Sequence, residues 1–298
     1  MLRYSDKNDI FNIHTDAVPY LSFDMLDRLG IPNLFSTRFI SYDPSSEKGT
    51  AGLRVVIMKT EDRDEAAPVV LKNRDRLAKQ LGSSIEMECI TNQKHTANVY
   101  AVEKEDLGPR YPHGLPEKRQ RIDGLVTDVP GALLTAFGGD CPPVYLADPV
   151  KKAVGLVHAG WRGTLNRIPE AAIDLMSERY GCDPSDIYAA VGPGICGECY
   201  EMGDEVYDAF ALEWSREDAD LIMKKYPAKD TAGNDIPGGK YHLDLRKANL
   251  LTLKRAGILD EHIAVSNVCT RCNADTFYSY RAHRIENEQA AMLVNRFG

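Results

Sequence analysis

The sequence predicts a mixed α/β fold, a single-domain sandwich in which helices pack on a mixed β-sheet. Segments typical of strands and segments typical of helices interleave along the 298 residues, and several strands arrive in pairs. No linker, internal repeat or low-complexity segment divides the chain. A chain of this length is also ample for a sizeable core, so one large domain accounts for it.

Most of the elements predicted in the first half are strands, because short apolar runs there are bounded by turn residues. One helix is expected from Pro68 to Gly82, since proline suits a first helical turn and glycine a helix end. Residues 1–32 carry no clear pattern and are treated as an N-terminal extension. The remaining predictions are strands within 33–43, 45–58, 85–103 (two, joined by a loop that holds His95), 124–149 (two, with a turn at Gly138 and Gly139) and 153–160, and a surface loop over 104–120.

Helices and strands alternate in the second half of the chain. The run AVGLVHAG is apolar throughout, which indicates a strand buried on both faces. A helix over 164–181 has Thr164 as its candidate N-cap and Gly181 at its end. Further helices are expected over 199–214 and 243–257, strands within 187–194 and 263–268, and a polar insertion over 216–240.

Charge and hydropathy exclude several classes of protein. The net charge of -8 argues against a protein that binds nucleic acid by neutralising phosphates. The N-terminus has no apolar run of the kind found in signal peptides, and no window approaches the apolar length of a membrane span. We therefore expect a cytoplasmic protein that binds neither nucleic acid nor a membrane; the oligomeric state stays open.

The motif GPGICG at 192–197 matches G-x-G-x-x-G and follows a predicted strand. A dinucleotide site would need the rest of a binding unit after it, and the sequence does not supply one. The motif therefore favours a tight turn, whose main-chain amides would at most hold an anion.

The seven cysteines are an odd number scattered along the chain, which argues against a disulfide framework. Two Cys-x-x-Cys pairs, Cys196 with Cys199 and Cys269 with Cys272, have the spacing of zinc ligands. The long interval between the pairs is unlike a compact zinc ribbon, so two interpretations stay open. The pairs meet in space as a metal site, or they are ordinary half-buried thiols.

His95, Cys141 and His158 form the candidate active site because each lies at the end of a predicted strand. If these strands are neighbours, the three side chains project from one edge of the sheet. Two imidazoles and one thiolate are a common partial ligand set for zinc, and three protein ligands leave one position open for catalysis. The same residue types suit copper, so the metal is zinc or copper.

Two other interpretations of this trio stand beside the metal site. Cys141 and His158 are either structural core residues or a nucleophile with its base. The seven histidines include no H-x-H pair, so the chain lacks the histidines that a set of blue and trinuclear copper sites requires. It also lacks the H-x-E and P-C-x-x-C signature of common zinc nucleobase deaminases.

Seven segments of the sequence form a recognisable set: LFSTR, KNRDRLAKQLG, TNQKHTANVY, GGDCPPVYLADP, VGLVHAGWRGT, VGPGICGECYE and CTRCNADTFYSYR. Together they resemble the multicopper polyphenol oxidase (laccase) domain family, also called the YfiH or DUF152 family. The resemblance covers residues 33 to 295, and the order and spacing of the segments agree with the family.

The resemblance implies a catalytic domain over 33–298 with a YfiH-like α/β sandwich fold. It implies a zinc enzyme, a purine nucleoside phosphorylase for adenosine, inosine, guanosine and methylthioadenosine, with adenosine deamination as a further activity. The family's zinc ligands fall on His95, Cys141 and His158, the residues reached above from the strand ends. The alternatives are a copper-dependent polyphenol oxidase, a hydrolase that edits peptidoglycan precursors, and an inactive protein that binds a nucleoside or a partner.

Further site residues follow from position within these segments. Arg38, Gln93 and Arg162 are the candidates for binding the substrate, with phosphate as the co-substrate. The alternatives are surface or structural salt bridges for the two arginines and, for Gln93, a role in shaping the loop before His95. Asp140 is expected to orient a metal ligand or to cap the turn before Cys141.

The sequence departs from the family pattern around the metal trio. The family's Q-x-H-G ends in Thr96, its glycine-rich turn after the first arginine is replaced by TRFISYD, and the triplet before Pro142 is Gly139-Asp140-Cys141. The terminal G-R is missing from YSYRAHRIENEQ. The metal ligands are thus intact, whereas the substrate-binding rim is altered.

Overall fold

The computed structural model describes residues 10–15, 17–43, 48–56, 63–110, 117–229, 231–284 and 287–297. The strands are β1 (Phe11–His14), β2 (Tyr20–Phe23), β3 (Asn33–Ser36), β4 (Phe39–Asp43), β5 (Lys48–Ala51), β6 (Glu88–Ile90), β7 (Val99–Ala101), β8 (Gly124–Thr127), β9 (Leu133–Gly138), β10 (Pro143–Asp148), β11 (Ala153–His158), β12 (Tyr188–Val191), β13 (Glu201–Met202), β14 (Met223–Tyr226), β15 (Lys240–Leu243), β16 (Ile263–Val265) and β17 (Gln289–Val294). The helices are α1 (Asp24–Arg28), α2 (Arg63–Gln80), α3 (Trp161–Leu165), α4 (Ile168–Tyr180), α5 (Asp204–Glu213), α6 (Arg216–Ile222), α7 (Leu245–Arg255) and α8 (Tyr280–His283).

Two six-stranded sheets form the centre of the described structure. The first sheet has the order β1-β2-β3-β17-β9-β6, and the second has the order β16-β12-β10-β11-β8-β7. Both are mixed: β6 pairs with β9, β7 with β8 and β12 with β16 in parallel, whereas the other pairs of these sheets are antiparallel. A three-stranded sheet, β13-β15-β14, and the ribbon β4-β5 complete the strands. The predicted single-domain α/β sandwich is confirmed.

The main core lies between the two large sheets. Along β9, Leu134 and Ala136 face the second sheet, whereas Leu133 and Phe137 face the side that α2 covers. This alternation follows from the two-residue period of a strand. The outer face of the second sheet packs against α4 and α7. The chain crosses from the first sheet to the second between β9 and β10, and Cys141 lies in that crossing.

Three helix predictions change: α2 starts earlier than predicted, the helix 164–181 is divided, and the helix expected over 199–214 is limited to α5 because β13 precedes it. Helix α2 begins at Arg63, so Pro68 lies inside it rather than at its start. The predicted helix 164–181 is two helices, α3 and α4, because Arg167 adopts a left-handed conformation with φ 55° between them. Thr164 is therefore not an N-cap; it is buried within α3 and its hydroxyl donates to the Ala159 carbonyl. Gly181 ends α4 in the left-handed conformation, as predicted.

Other segments differ from the predictions in the amount of regular structure they contain. The segment 124–149 holds three strands rather than two, because a turn at Pro130 and Gly131 separates β8 from β9. The insertion 216–240 begins with α6, capped by the Ser215 side chain, and β14 follows directly. Residues 52–56 do not form the strand expected within 45–58, and residues 57 and 58 lie outside the described part.

The segment 1–32, treated above as an extension, adds strands to the first sheet from residue 10 onward. Strand β1 pairs with β2, and β2 pairs with β3. Residues Leu21, Phe23 and Leu26 of this segment belong to the core between the sheets. No helix among the described residues combines the length and the apolar character that a bilayer span requires.

Candidate metal centre

Strand pairing places Cys141 and His158 at the same edge of the second sheet. In the antiparallel pair β10–β11, Pro143 lies opposite His158, and Cys141 precedes Pro143 by two residues. His95 lies in the loop between β6 and β7. The ligand atoms of His95, Cys141 and His158 all lie within 4.8 Å of one another. The structure therefore brings the predicted trio together.

Asp123, directly before β8, joins the His95 loop to His158. Its Oδ1 accepts a hydrogen bond from the His95 amide at 2.9 Å and lies 2.9 Å from Nδ1 of His158. Its Oδ2 accepts from the amides of Lys94 and Thr96 and from the Thr96 hydroxyl. Because Nδ1 of His158 is engaged, Nε2 is the nitrogen left for a metal, the arrangement found in carboxylate–histidine–metal sites.

The electrostatics of the trio favour the ligand form of the cysteine. Burial raises the pKa of Cys141, but the charge and hydrogen bonds of His158 and His95 outweigh it and lower the pKa to about 7. Burial lowers the pKa of His158, but the Cys141 thiolate and Asp123 raise it to about 10. For Asp123, burial is likewise outweighed by His158, and the pKa falls to about 2. Cys141 is thus readily available as a thiolate, the form that binds metals.

The three candidate ligands pack around Gly160, where there is no room for a larger side chain. A Cβ at Gly160 would lie 2.7 Å from Cδ2 of His95, 3.0 Å from Sγ of Cys141 and 3.4 Å from Cε1 of His158. Any larger residue would displace at least one ligand. Two imidazoles and one thiolate are a ligand set that fits a zinc or a copper ion.

A cavity of about 370 Å³ adjoins the trio, within the size range of small-molecule sites. Its wall includes Glu288, whose pKa is raised by burial, although the charges of His158 and His95 act in the opposite direction. The residues that line it besides the trio are Gly139, Asp140, Tyr200, Tyr280, Arg281, Asn287 and Glu288.

Two of the predicted substrate-binding residues, Gln93 and Arg38, make hydrogen bonds within the protein. The Gln93 amide donates to the Phe137 carbonyl and accepts from the Phe137 amide, both at 2.7 Å, which ties the His95 loop to β9. The Arg38 guanidinium donates to the Ala274 carbonyl and lies 3.2 Å from Nε2 of His283. Neither residue is among those that line the cavity.

Of the other two predicted site residues, Arg162 is at the surface and Asp140 is buried. Arg162 is exposed, lies over the Trp161 ring at 4.2 Å and acts electrostatically on Tyr200 of the cavity wall. Asp140 is buried, with φ 118°, and its carboxylate accepts from the Thr270 hydroxyl and the Arg281 amide. It therefore organises the turn before Cys141, whereas the carboxylate that contacts a ligand is Asp123.

Three residues of the site, Asp123, Glu288 and Arg281, are not predicted from the sequence. Asp123 belongs to no recognised motif, and the only hint of its role in the sequence is that a charged residue stands at the start of an apolar strand. Glu288 lies in the segment where the resembled family carries its terminal G-R. Arg281 belongs to the SYR segment, and its guanidinium donates to the Glu201 carbonyl and lies over the Tyr200 ring at 5.0 Å.

Comparison with known proteins gives relatives along most of the chain. The chain is 36% identical over 271 residues to the purine nucleoside phosphorylase of Deinococcus radiodurans, which spans 89% of each protein. It is 34% identical over 216 residues to adenosine deaminase RL5 from an unknown prokaryotic organism, 71% of this chain and 76% of the relative.

Solved structures and a family model agree with these relatives. The crystal structure of YlmD from Geobacillus stearothermophilus superposes with a TM-score of 0.76 at 32% identity, covering 97% of this chain and all (100%) of that one. Bacillus licheniformis YfiH gives a TM-score of 0.78 at 27% identity, covering 95% and 98%. Residues 54–295 match the family described as multi-copper polyphenol oxidoreductase laccase. The chain therefore belongs to this laccase-like family, and it is similar to YfiH in sequence and in fold.

Proposed function

We propose that this protein is a zinc-dependent purine nucleoside phosphorylase. The observation that carries the proposal is the convergence of His95, Cys141 and His158 on one side of a cavity of about 370 Å³. Three ligands and an adjoining cavity are the arrangement of a catalytic metal rather than a structural one. Relatives at 34–36% identity that carry the name purine nucleoside phosphorylase support the choice of substrate.

Zinc held by the trio would act as a Lewis acid on a substrate oxygen. Zinc is proposed rather than a set of copper sites because the seven histidines are too few for a multicopper oxidase. Asp123 would keep both imidazoles in place, because it bonds the ring of His158 and the amide of His95.

The other residues that line the cavity would bind and orient the substrate. Arg281 is held in place by the Glu201 carbonyl and the Tyr200 ring, so its charge is fixed before phosphate binds. We assign phosphate binding to Arg281, which lines the cavity. Arg162 is not among the lining residues, but it acts electrostatically on Tyr200 and would add positive charge near the phosphate. The engaged side chains of Arg38 and Gln93 would support the walls rather than contact the substrate.

Glu288 is the proton-handling group of the proposal. Its pKa is raised by burial, and a carboxyl of this kind can hold a proton for a departing base. In phosphorolysis, a phosphate oxygen would bond to the anomeric carbon as the glycosidic bond breaks. The carboxyl of Glu288 would then donate its proton to the purine.

Glu288 also favours a second candidate function, adenosine deamination. Zinc deaminases use a glutamate that is not a metal ligand to transfer protons to and from the substrate. Glu288 lies in the wall beside the trio and is not one of its ligands. A relative of 34% identity carries the name adenosine deaminase, in agreement with this assignment.

Product analysis separates these functions. Purified protein is incubated with adenosine, inosine, guanosine or methylthioadenosine, with and without phosphate and chelator, and the products are resolved by chromatography. Free base that requires both phosphate and metal supports phosphorolysis, and inosine formed from adenosine without phosphate supports deamination. No product from zinc-loaded protein refutes both; assays with peptidoglycan precursors, with polyphenols plus copper, and of nucleoside binding then test the alternatives.

Chelation and alkylation distinguish metal chemistry from a cysteine nucleophile. Chelation should abolish the activity and zinc should restore it, whereas a thiol enzyme survives chelation and is inactivated by alkylation.

Glu288→Gln should lower kcat about 100-fold or more, the typical contribution of a general acid or base. Glu261→Gln, an exposed acid away from the cavity, is the matched control.

A further inference from the structure

The four cysteines of the two Cys-x-x-Cys pairs converge at a second place in the structure. Cys196 and Cys199 precede β13, whereas Cys269 and Cys272 follow β16. The four sulfur atoms lie within 4.8 Å of one another. None of them is among the residues that line the cavity, so the proposed catalytic centre does not use them.

The distances suit a tetrahedral tetrathiolate site. Sγ of Cys199 lies 3.5 Å from Sγ of Cys272. In a tetrahedron with Zn–S bonds of about 2.3 Å, neighbouring sulfur atoms are roughly 3.8 Å apart. All four positions would be filled by protein, which is typical of structural zinc and leaves no position for a substrate.

Main-chain amides already point at one of the sulfur atoms. Sγ of Cys269 accepts hydrogen bonds from the amide of Cys196 at 3.2 Å and from the amide of Cys272 at 3.4 Å. Such bonds stabilise a thiolate, because they place positive dipole ends beside the negative sulfur. The Arg271 guanidinium, which donates to the Cys199 carbonyl, adds a positive charge next to the cluster.

We propose that Cys196, Cys199, Cys269 and Cys272 bind a structural zinc ion, distinct from the metal of the His95 centre. Cys196 and Cys269 are buried, whereas Cys272 is exposed, so a metal can enter from solvent and become enclosed by the inner pair. The ion would reinforce the contact between two segments that already meet at the parallel bridge between Gly194 and Cys269.

This site would brace the turn that carries Cys141. The Ile195 amide donates to the Asp140 carbonyl at 2.7 Å, and the Thr270 hydroxyl donates to the Asp140 carboxylate at 2.6 Å. Each donor is adjacent in sequence to a cysteine of the cluster. The GPGICG motif is thus explained as a turn: a Cβ at Gly194 would lie 2.9 Å from the Asp140 carbonyl oxygen.

Zinc stoichiometry tests the proposal on the full chain. The protein is purified with a reductant, loaded with zinc, desalted and measured by elemental mass spectrometry. The Cys199→Ser/Cys272→Ser variant should hold one zinc ion fewer per chain than the wild type. Cys182→Ser, which alters a buried thiol outside the cluster, should hold as many as the wild type. An unchanged stoichiometry in the double variant refutes the second site.

Cobalt spectroscopy tests the ligand set without altering the cluster. In His95→Asn the catalytic centre loses a ligand, while asparagine tolerates the left-handed conformation, φ 57°, of residue 95. Cobalt bound to this variant should show the intense sulfur-to-cobalt charge transfer of four thiolates. Adding Cys199→Ser/Cys272→Ser to it should reduce the intensity to at most that of the single Cys141 thiolate. Absence of the signal in His95→Asn, or a Cys199–Cys272 disulfide in protein purified with a reductant, overturns the proposal.

Discussion

Asp123→Asn is the most informative single change, because one carboxylate holds two of the three proposed ligands. Asparagine has the same shape but only one acceptor oxygen. Whichever way the amide is oriented, at least two donors lose their acceptor: the His95 amide and the His158 ring at one oxygen, or the amides of Lys94 and Thr96 at the other. The amide contacts are partly buried, so each lost acceptor costs about 1 kcal/mol, the lower end of the range for buried donors, and the local cost is about 2 kcal/mol.

Metal affinity reports this loss directly. Replacing the carboxylate partner of a metal-bound histidine typically lowers metal affinity about 10–100-fold, so competition with a chromophoric chelator should show a decrease of that size. Unfolding in urea measures the accompanying loss of stability. Asp128→Asn, an exposed acid that follows the same strand, is the control and should leave both quantities unchanged. An Asp123→Asn protein that binds zinc as tightly as the wild type would refute the role assigned to Asp123.

Three further predictions concern the site and the core. In metal-free protein, the pair of Cys141 thiolate and His158 imidazolium stabilises the fold between about pH 7 and 10, since the thiolate is lost as pH falls through about 7 and the imidazolium as pH rises through about 10. Alkylation of Cys141, followed by peptide mass mapping, should have its midpoint near pH 7, and a midpoint near 9 contradicts the pairing. Gly160→Ala should weaken zinc binding at least about 10-fold, because its Cβ would meet the ligands; unchanged zinc affinity by chelator competition argues against the proposed zinc site. Arg74→Met should lower the free energy of unfolding in urea by about 3 kcal/mol, because it leaves the buried Glu88 carboxyl without its cation at 3.3 Å; Arg74→Met/Glu88→Gln should recover part of that loss.

The metal trio is the part of the site that the sequence predicts on its own. Each ligand follows or precedes an apolar run, and the ends of neighbouring strands meet at one edge of a sheet. The run AVGLVHAG forms a strand buried on both faces, as predicted, and ends at His158. Local patterning is sufficient here because a strand determines where its terminal side chain lies relative to its apolar residues.

Helix ends and short strands depend on more than local pattern. Arg167 separates α3 from α4 in a left-handed conformation that no glycine signals. Strand β14 in the polar insertion forms because β15 pairs with it and the buried Met223 packs in the cluster beside α5. Tertiary contacts outweigh propensity at such positions, since propensities differ by only about 1 kcal/mol per residue.

The sequence by itself determined the class of fold, the order of most strands along the chain and the residue types that can hold a metal. Only the tertiary structure decided which distant residues meet: Asp123 with His158, Thr270 with Asp140 and one cysteine pair with the other. These contacts depend on the order of strands in two sheets, which no periodicity of a single segment encodes. The same packing directs Arg38 and Gln93 to main-chain carbonyls within the protein and places Glu288 in the cavity lining. The physical reason is that the sheets fix the path of the main chain, and this path determines which neighbours each side chain can reach.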